Sequence, residues 1–176
     1  MQGRLLISLV FSSLAAAEQP SFATGPVIQD FGQHVKVENM LPLPQDAQFK
    51  IAFDVAEQAE PGTQNKRFNS LARFINMHVA NGVKPQNIQL ALVVHGKAGF
   101  DLLNDASYRQ KFSHHNANAG LIKALAAQGV QVMLCGQSAG AMNLSAEHLM
   151  PEVTLGLSAM TLHALLQQQG YTLNPF

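Results

Sequence analysis

Ile88-Gln89-Leu90-Ala91-Leu92-Val93-Val94, followed at once by His95-Gly96-Lys97, is the stretch on which the fold turns. Only Gln89 interrupts its apolar character. A strand with one wet face alternates, whereas a near-continuous apolar run is what a strand covered on both faces requires, and such strands belong to parallel sheets flanked by helices. Upstream, Phe49-Lys50-Ile51-Ala52-Phe53-Asp54-Val55 alternates, with Phe49, Ile51, Phe53 and Val55 on one side. Between the two runs, Pro61-Gly62 and Asn65 make a turn. Phe68, Leu71, Ala72, Ile75 and Val79 then recur at helical spacing until Asn81-Gly82 stops the helix.

The same alternation continues downstream. A helical stretch from Leu102 to Phe112 leads to the polar turn His114-His115-Asn116-Ala117-Asn118, and a helix over 119–128 stops at Gly129. The strand Val130-Gln131-Val132-Met133-Leu134 delivers Cys135-Gly136-Gln137-Ser138, and further helix is expected through Leu149. A short strand over 153–157, a helix capped by Ser158 that ends at Gly170, and a last strand at Tyr171-Thr172-Leu173 complete the chain. Strand and helix in regular alternation predict an α/β fold: a single-domain parallel sheet with helices on both faces.

The chain has 176 residues, enough for one domain with a sizeable core. Its 47% hydrophobic and 12% charged residues exclude a disordered chain. Lys plus Arg and Asp plus Glu are 11 each, so there is no basic footprint for nucleic acid or an anionic membrane. Arg4, the apolar run over 5–11 and the small residues Ala15-Ala16-Ala17 read as an export signal over residues 1–17, cleaved before Glu18. That run is too short to span a bilayer, so a soluble periplasmic protein without a membrane anchor is expected. A Pro- and Gly-rich extended arm over 18–47 precedes the α/β domain, 48–176.

Chemistry in open α/β sheets gathers outside the carboxyl ends of the strands. His95 and Cys135 stand at two such ends, and each is followed by glycine. If a helix begins after Gly136, the Cys135 thiol lies at its positive end, which favours the nucleophilic thiolate. Gln137 and Ser138, with the backbone of Gly96 and Gly136, can donate hydrogen bonds there. Lys97 is either a cation that draws an anionic sulfur species to the pocket mouth or an exposed lysine. His95 is either a base facing Cys135 or a structural histidine. Cys135 itself is the lone cysteine, so it forms no intramolecular disulfide; buried packing is its alternative role. His114-His115 lacks the further ligands of a metal site and reads as a solvated turn. Gly136-Gln137-Ser138-Ala139-Gly140 has the form of a serine-hydrolase elbow, but after Ser138 the expected acid and base have only Glu147 or Glu152 and His148 or His163 to supply them.

Leu92-Val93-Val94-His95-Gly96, the following Phe100-Asp101-Leu102-Leu103 and Tyr108, the block Gly129 to Gly140 and the end Ala159 to Pro175 resemble exported members of the DsrE/DsrF-like family. The resemblance covers roughly residues 48–175. It implies a flavodoxin-like or Rossmann-like parallel sheet assembled into a homotrimer or homohexamer. It also implies sulfur relay, since some cytoplasmic members pass sulfur as a cysteine persulfide and Cys135 matches that cysteine. The export signal departs from those cytoplasmic members. The reading is therefore a periplasmic sulfur-handling protein in which Cys135 is the attacking thiolate and His95 orients or deprotonates it. A sulfur donor or acceptor protein, or a small sulfur species, would be its partner; no cofactor or metal is expected. The competing reading is a non-enzymatic oligomeric module that binds a small ligand while Cys135 packs.

Overall fold

Ile88–Val94 is the central strand, β4, of a five-stranded sheet, and of its residues only Gln89 is exposed. A computed structural model describes residues 21–44 and 46–174. The expected signal over 1–17 and its cleavage point lie outside the described residues. Two short strands in the arm, β1 (Phe22–Ala23) and β2 (His34–Val35), pair antiparallel. The sheet itself comprises β3 (Phe49–Val55), β4, β5 (Gln131–Cys135), β6 (Val153–Gly156) and β7 (Thr172–Asn174). Their order is β6-β5-β4-β3-β7, and every pairing is parallel.

The two faces of the sheet differ. On one, Phe53, Val55, Leu90, Leu92, Val94, Val132 and Leu134 pack against the helices α1 (Lys66–Ala80) and α3 (Ala119–Ala127). Helix α1 contributes its expected stripe of Phe68, Leu71, Ala72 and Ile75, all buried, each large side chain contributing about 1.5–3 kcal/mol of burial. On the other face the strands offer Ala52, Ala91, Val93 and Met133 to α5 (Ala159–Gln168), which inserts Leu162 and Leu166. The alanines keep this layer thin. The arm lies against α1 through Asn76, a polar residue on the buried side of the helix. Its Oδ1 accepts from the Ile28 N–H at 2.9 Å, and its Nδ2 donates to the Ile28 and Phe31 carbonyls.

Two segments depart from the expected helices. The stretch over 102–112 divides into a 3₁₀ turn, Gly96–Leu102, and a separate helix α2, Asp105–Phe112, because Asn104 caps the latter by accepting from the Ser107 N–H. The helix expected through Leu149 is only α4, Gly136–Ala141. Asn143 then takes a left-handed conformation (φ 53), which no helix continues through, and Ser145 opens a 3₁₀ turn at Ala146–His148.

Candidate functional site

Strand parity decides what meets at the carboxyl edge. Side chains two residues apart share a face, so Asp54 follows Ala52, His95 follows Val93 and Cys135 follows Met133, all on the α5 side. The register reinforces this: Val94 pairs with Leu134, and the His95 N–H extends the ladder by donating to the Val55 carbonyl at 3.0 Å. His95 and Cys135 thus stand one step beyond paired residues of adjacent strands, with Asp54 on the strand beyond. They line a cavity of about 340 Å³ whose other walls include Ser158, Met160 and His163 of the β6–α5 junction.

Cys135 is 5% exposed and is the N-cap of α4. Burial by itself pushes the thiol up. Against it act hydrogen bonds from the Ser138 hydroxyl and from the backbone N–H groups of Ser138, Ala159 and Gln137, and together they hold the thiol below its ordinary range. The Ser138 N–H stands 3.5 Å from the sulfur. Two different helices supply these donors, α4 and the first residue of α5. Their convergence depends on Gly136: a Cβ there would lie 2.5 Å from the Gly156 carbonyl oxygen, so any side chain would push α4 away from the β6–α5 loop.

Ser138 has a second bond. Its Oγ accepts from the Gly96 N–H at 2.9 Å, joining the end of β4 to the end of β5. Gly96 takes φ +53, which a glycine adopts without strain. No imidazole bonds the Ser138 hydroxyl among the described residues, which leaves it without the base that a hydrolase nucleophile needs.

His95 does not bond the sulfur. Its Nε2 lies 3.0 Å from Asp54 Oδ2, while His163 Nε2 lies 2.7 Å from Asp54 Oδ1. Burial pushes the Asp54 carboxyl up, but hydrogen bonding to His163 and His95, and their charge, bring it below the usual value. Asp54 is therefore ionised at neutral pH and can only accept. Both Nε2 atoms must carry hydrogen, and no hydrogen-bonding group among the described residues engages either Nδ1.

The structure brings together His95, Gly96, Cys135, Gly136, Gln137 and Ser138. Gln137 is exposed on the cavity wall and its Nε2 donates to the Leu157 carbonyl at 3.3 Å. Lys97 is not brought in: it is exposed and lines a separate cleft with residues 56–61 and Phe112. His115 is exposed, with Nδ1 3.2 Å from Asp105 Oδ2. Sequence reasoning gave no site role to Asp54 or Ser158 and placed His163 only as a remote candidate base. Asp54 left a trace, as a polar residue that follows Ala52 on the same parity at the carboxyl end of β3.

A family model described as the DsrE/DsrF-like family matches residues 50–175, a span that runs from the second residue of β3 through β7 and takes in every residue lining the cavity. The chain belongs to the DsrE/DsrF-like family. Membership supports a sulfur-relay-related function in general. Among solved structures, the ychN protein from E. coli matches with 23% identity and a TM-score of 0.52, covering 73% of this chain and 100% of that one. A protein of unknown function from Methanobacterium thermoautotrophicum gives 16% identity with the same TM-score and coverage. At these identities the two neighbours speak for the fold alone. Comparison with curated proteins gives no match.

Proposed function

We propose that this member of the family is a periplasmic sulfur carrier whose Cys135 thiolate accepts a sulfane sulfur as a persulfide and passes it on. The observation that carries the reading is the Ser138 N–H bonded to the Cys135 sulfur at 3.5 Å, with the Ser138 hydroxyl and the Gln137 and Ala159 N–H groups lowering the pKa of the same thiol, at the wall of a ligand-sized cavity. A packing cysteine needs no such set of donors; a thiolate does. In the accepting step, Cys135–S⁻ attacks the outer sulfur of a donor R–S–SH. The new S–S bond forms as the old one breaks, its electron pair leaving on RS⁻, and the products are Cys135–S–SH and RS⁻. No net oxidation or reduction occurs.

In this reading the Ser138 hydroxyl and the Gln137 N–H stabilise the charge on sulfur, Gly136 permits the close approach of α4, and Gly96 holds Ser138 in place. Export rests on the signal-like segment over residues 1–17, and N-terminal sequencing of exported protein tests it: the mature chain begins at Glu18. Assembly into a homotrimer or homohexamer is supported by apolar side chains left exposed near the cavity, Met160 on its wall at 81% and Leu157, just before Ser158 of the β6–α5 junction, at 71%.

The low exposure of Cys135 favours the second reading, an oligomeric binding module with Cys135 as packing. Intact-mass analysis after incubation with polysulfide or thiosulfate separates the two. A carrier gains sulfur mass that Cys135→Ser does not, whereas a wild-type protein without added mass supports the binding module.

A further inference from the structure

Cys135 has its own stabilising donors, and none of them is an imidazole. The two histidines of the cavity are instead turned onto one carboxylate, through the same ring atom of each. This division calls for an explanation, because a base intended for the thiol would bond the thiol. The other participant in sulfur transfer, the thiolate leaving the donor, is the group that still lacks a proton.

We propose that Asp54 and His163 are positioning residues for sulfur transfer, holding the Nε2–H of His95 on the carboxylate so that its Nδ1 takes up a proton and delivers it to the departing thiolate. The inference rests on the reading of Cys135 as a sulfur carrier. His163 is the inner member, with its side chain 16% exposed against 33% for His95, and it occupies Asp54 Oδ1. That leaves Oδ2 for His95. His95 is the ring more open to an incoming donor, and Nδ1 is its free atom. With His95 protonated, the step runs Cys135–S⁻ + R–S–SH + imidazolium → Cys135–S–SH + R–SH + imidazole. The sulfur–sulfur bond of the donor breaks, its pair goes to the inner sulfur, and the Nδ1 proton neutralises that sulfur as it leaves. Charge is zero on both sides, and the imidazole recovers its proton from water.

Asp54→Asn is the informative change because it keeps the shape and alters the tautomer. An amide accepts at one atom and donates at the other. His163, the more buried ring with the shorter bond, keeps its donation to the Oδ1 position, so the amide nitrogen takes the place of Oδ2 and His95 must present a bare Nε2 and move its hydrogen to Nδ1. His163→Gln keeps a donor for Oδ1, whereas His163→Leu removes it.

The experiment compares two donors. Glutathione persulfide expels a basic thiolate that needs a proton, and benzenethiosulfonate expels a sulfinate that does not. The readout is the ratio of the two loading rates at Cys135, followed by intact mass, with ¹⁵N signals of the histidine rings reporting the tautomers. The expected result is that Asp54→Asn and His163→Leu lower the persulfide-to-thiosulfonate ratio on the order of 100-fold, the scale of lost general-acid assistance. His163→Gln restores the ratio to within a few-fold of wild type. Nε2–H signals for both rings are expected in wild type and for only one in Asp54→Asn.

An unchanged ratio in Asp54→Asn, with wild type loading from both donors, overturns the positioning role and leaves the carrier reading intact. Wild type that loads from neither donor overturns the carrier reading and the relay with it. If Asp54→Asn does not fold, His95→Gln gives the same test, since it removes the proton donor itself and must lower the ratio as far.

Discussion

Replacing Ser138 with alanine removes the hydroxyl that donates to the Cys135 sulfur and accepts from the Gly96 N–H. A hydrogen bond to a charged group contributes about 1.5–3 kcal/mol. One pKa unit corresponds to about 1.4 kcal/mol, so loss of this bond raises the thiol midpoint by roughly 1–2 units. The N–H groups of Ser138, Gln137 and Ala159 remain, so the thiol stays more acidic than a buried thiol without donors. The orphaned Gly96 N–H adds a stability cost of about 1 kcal/mol, visible in a denaturation midpoint. Ser138→Thr keeps the hydroxyl and should keep the wild-type midpoint. The assay is the pH profile of iodoacetamide alkylation on folded protein, checked by circular dichroism. His95→Asn should shift that profile less than Ser138→Ala, because the His95 Nε2 is spent on Asp54 and not on sulfur. Superimposable profiles for wild type and Ser138→Ala would refute the idea that the hydroxyl tunes the sulfur. A wild-type thiol alkylated only after unfolding would reduce Cys135 to packing.

Other perturbations reach the groups around this centre. The Asp54 carboxyl lies below its ordinary value, so its stabilising contribution is complete above about pH 4–5 and fades as pH falls through the folded value; urea midpoints of wild type and Asp54→Asn should converge in acid. Asp101 behaves oppositely. It is fully buried, its Oδ1 has no partner, and burial pushes its carboxyl up despite bonds from the Ala59 N–H and Asn65. Its protonated form is favoured by folding, so wild type should gain stability relative to Asp101→Asn as pH falls from neutral toward the carboxylate range. Asn76→Ala strands the buried Ile28 N–H and should cost about 1–3 kcal/mol in chemical denaturation, with the arm becoming sensitive to protease first. Gly136→Ala forces α4 off the Gly156 carbonyl; both a lower melting temperature and a higher Cys135 midpoint are expected, because the Ala159 N–H is drawn from the sulfur by the same movement.

How far these features were legible in the sequence depends on whether the cause was local. The apolar run at Ile88–Val94 and the alternation at Phe49–Val55 placed β4 and β3 in a parallel sheet because burial on two faces, or on one, writes a period into the chain. Cys135 and His95 were visible as reactive groups at strand ends for the same reason. The length of α4 was not visible, since a left-handed Asn143 ends that segment and many asparagines do not. The Asp54–His163 bond joins residues 109 positions apart, and nothing in either neighbourhood announces the other. Its one trace was parity. Asp54 falls on the side of β3 that carries Ala52, where a polar residue beneath a helix must find a partner. Lys97 shows the converse, a side chain close to the site in sequence whose 3₁₀ turn carries it to another cleft.

A sulfur carrier has to do two opposed things with one atom, and the arrangement around Cys135 bears on both. In the proposed carrier, Cys135 is the nucleophile when sulfur is accepted and the leaving group when sulfur is delivered. Lowering a thiol's pKa raises the thiolate fraction but weakens each thiolate as a nucleophile, and it makes the same sulfur a better leaving group. The donors from Ser138, Gln137 and Ala159 therefore favour delivery intrinsically, while at neutral pH the larger thiolate population offsets the loss in attack. Those donors are fixed dipoles and cannot be exhausted by a proton transfer. What fixed dipoles cannot do is supply the proton that a basic donor thiolate takes away, and a site built from dipoles alone would load slowly from such a donor. In the proposed relay, an imidazole bonded to the carboxylate of the neighbouring strand fills that gap without competing for the thiolate. Acceptance and delivery then draw on separate groups, so a change at Asp54 should burden loading from basic donors far more than it burdens release from the Cys135 persulfide.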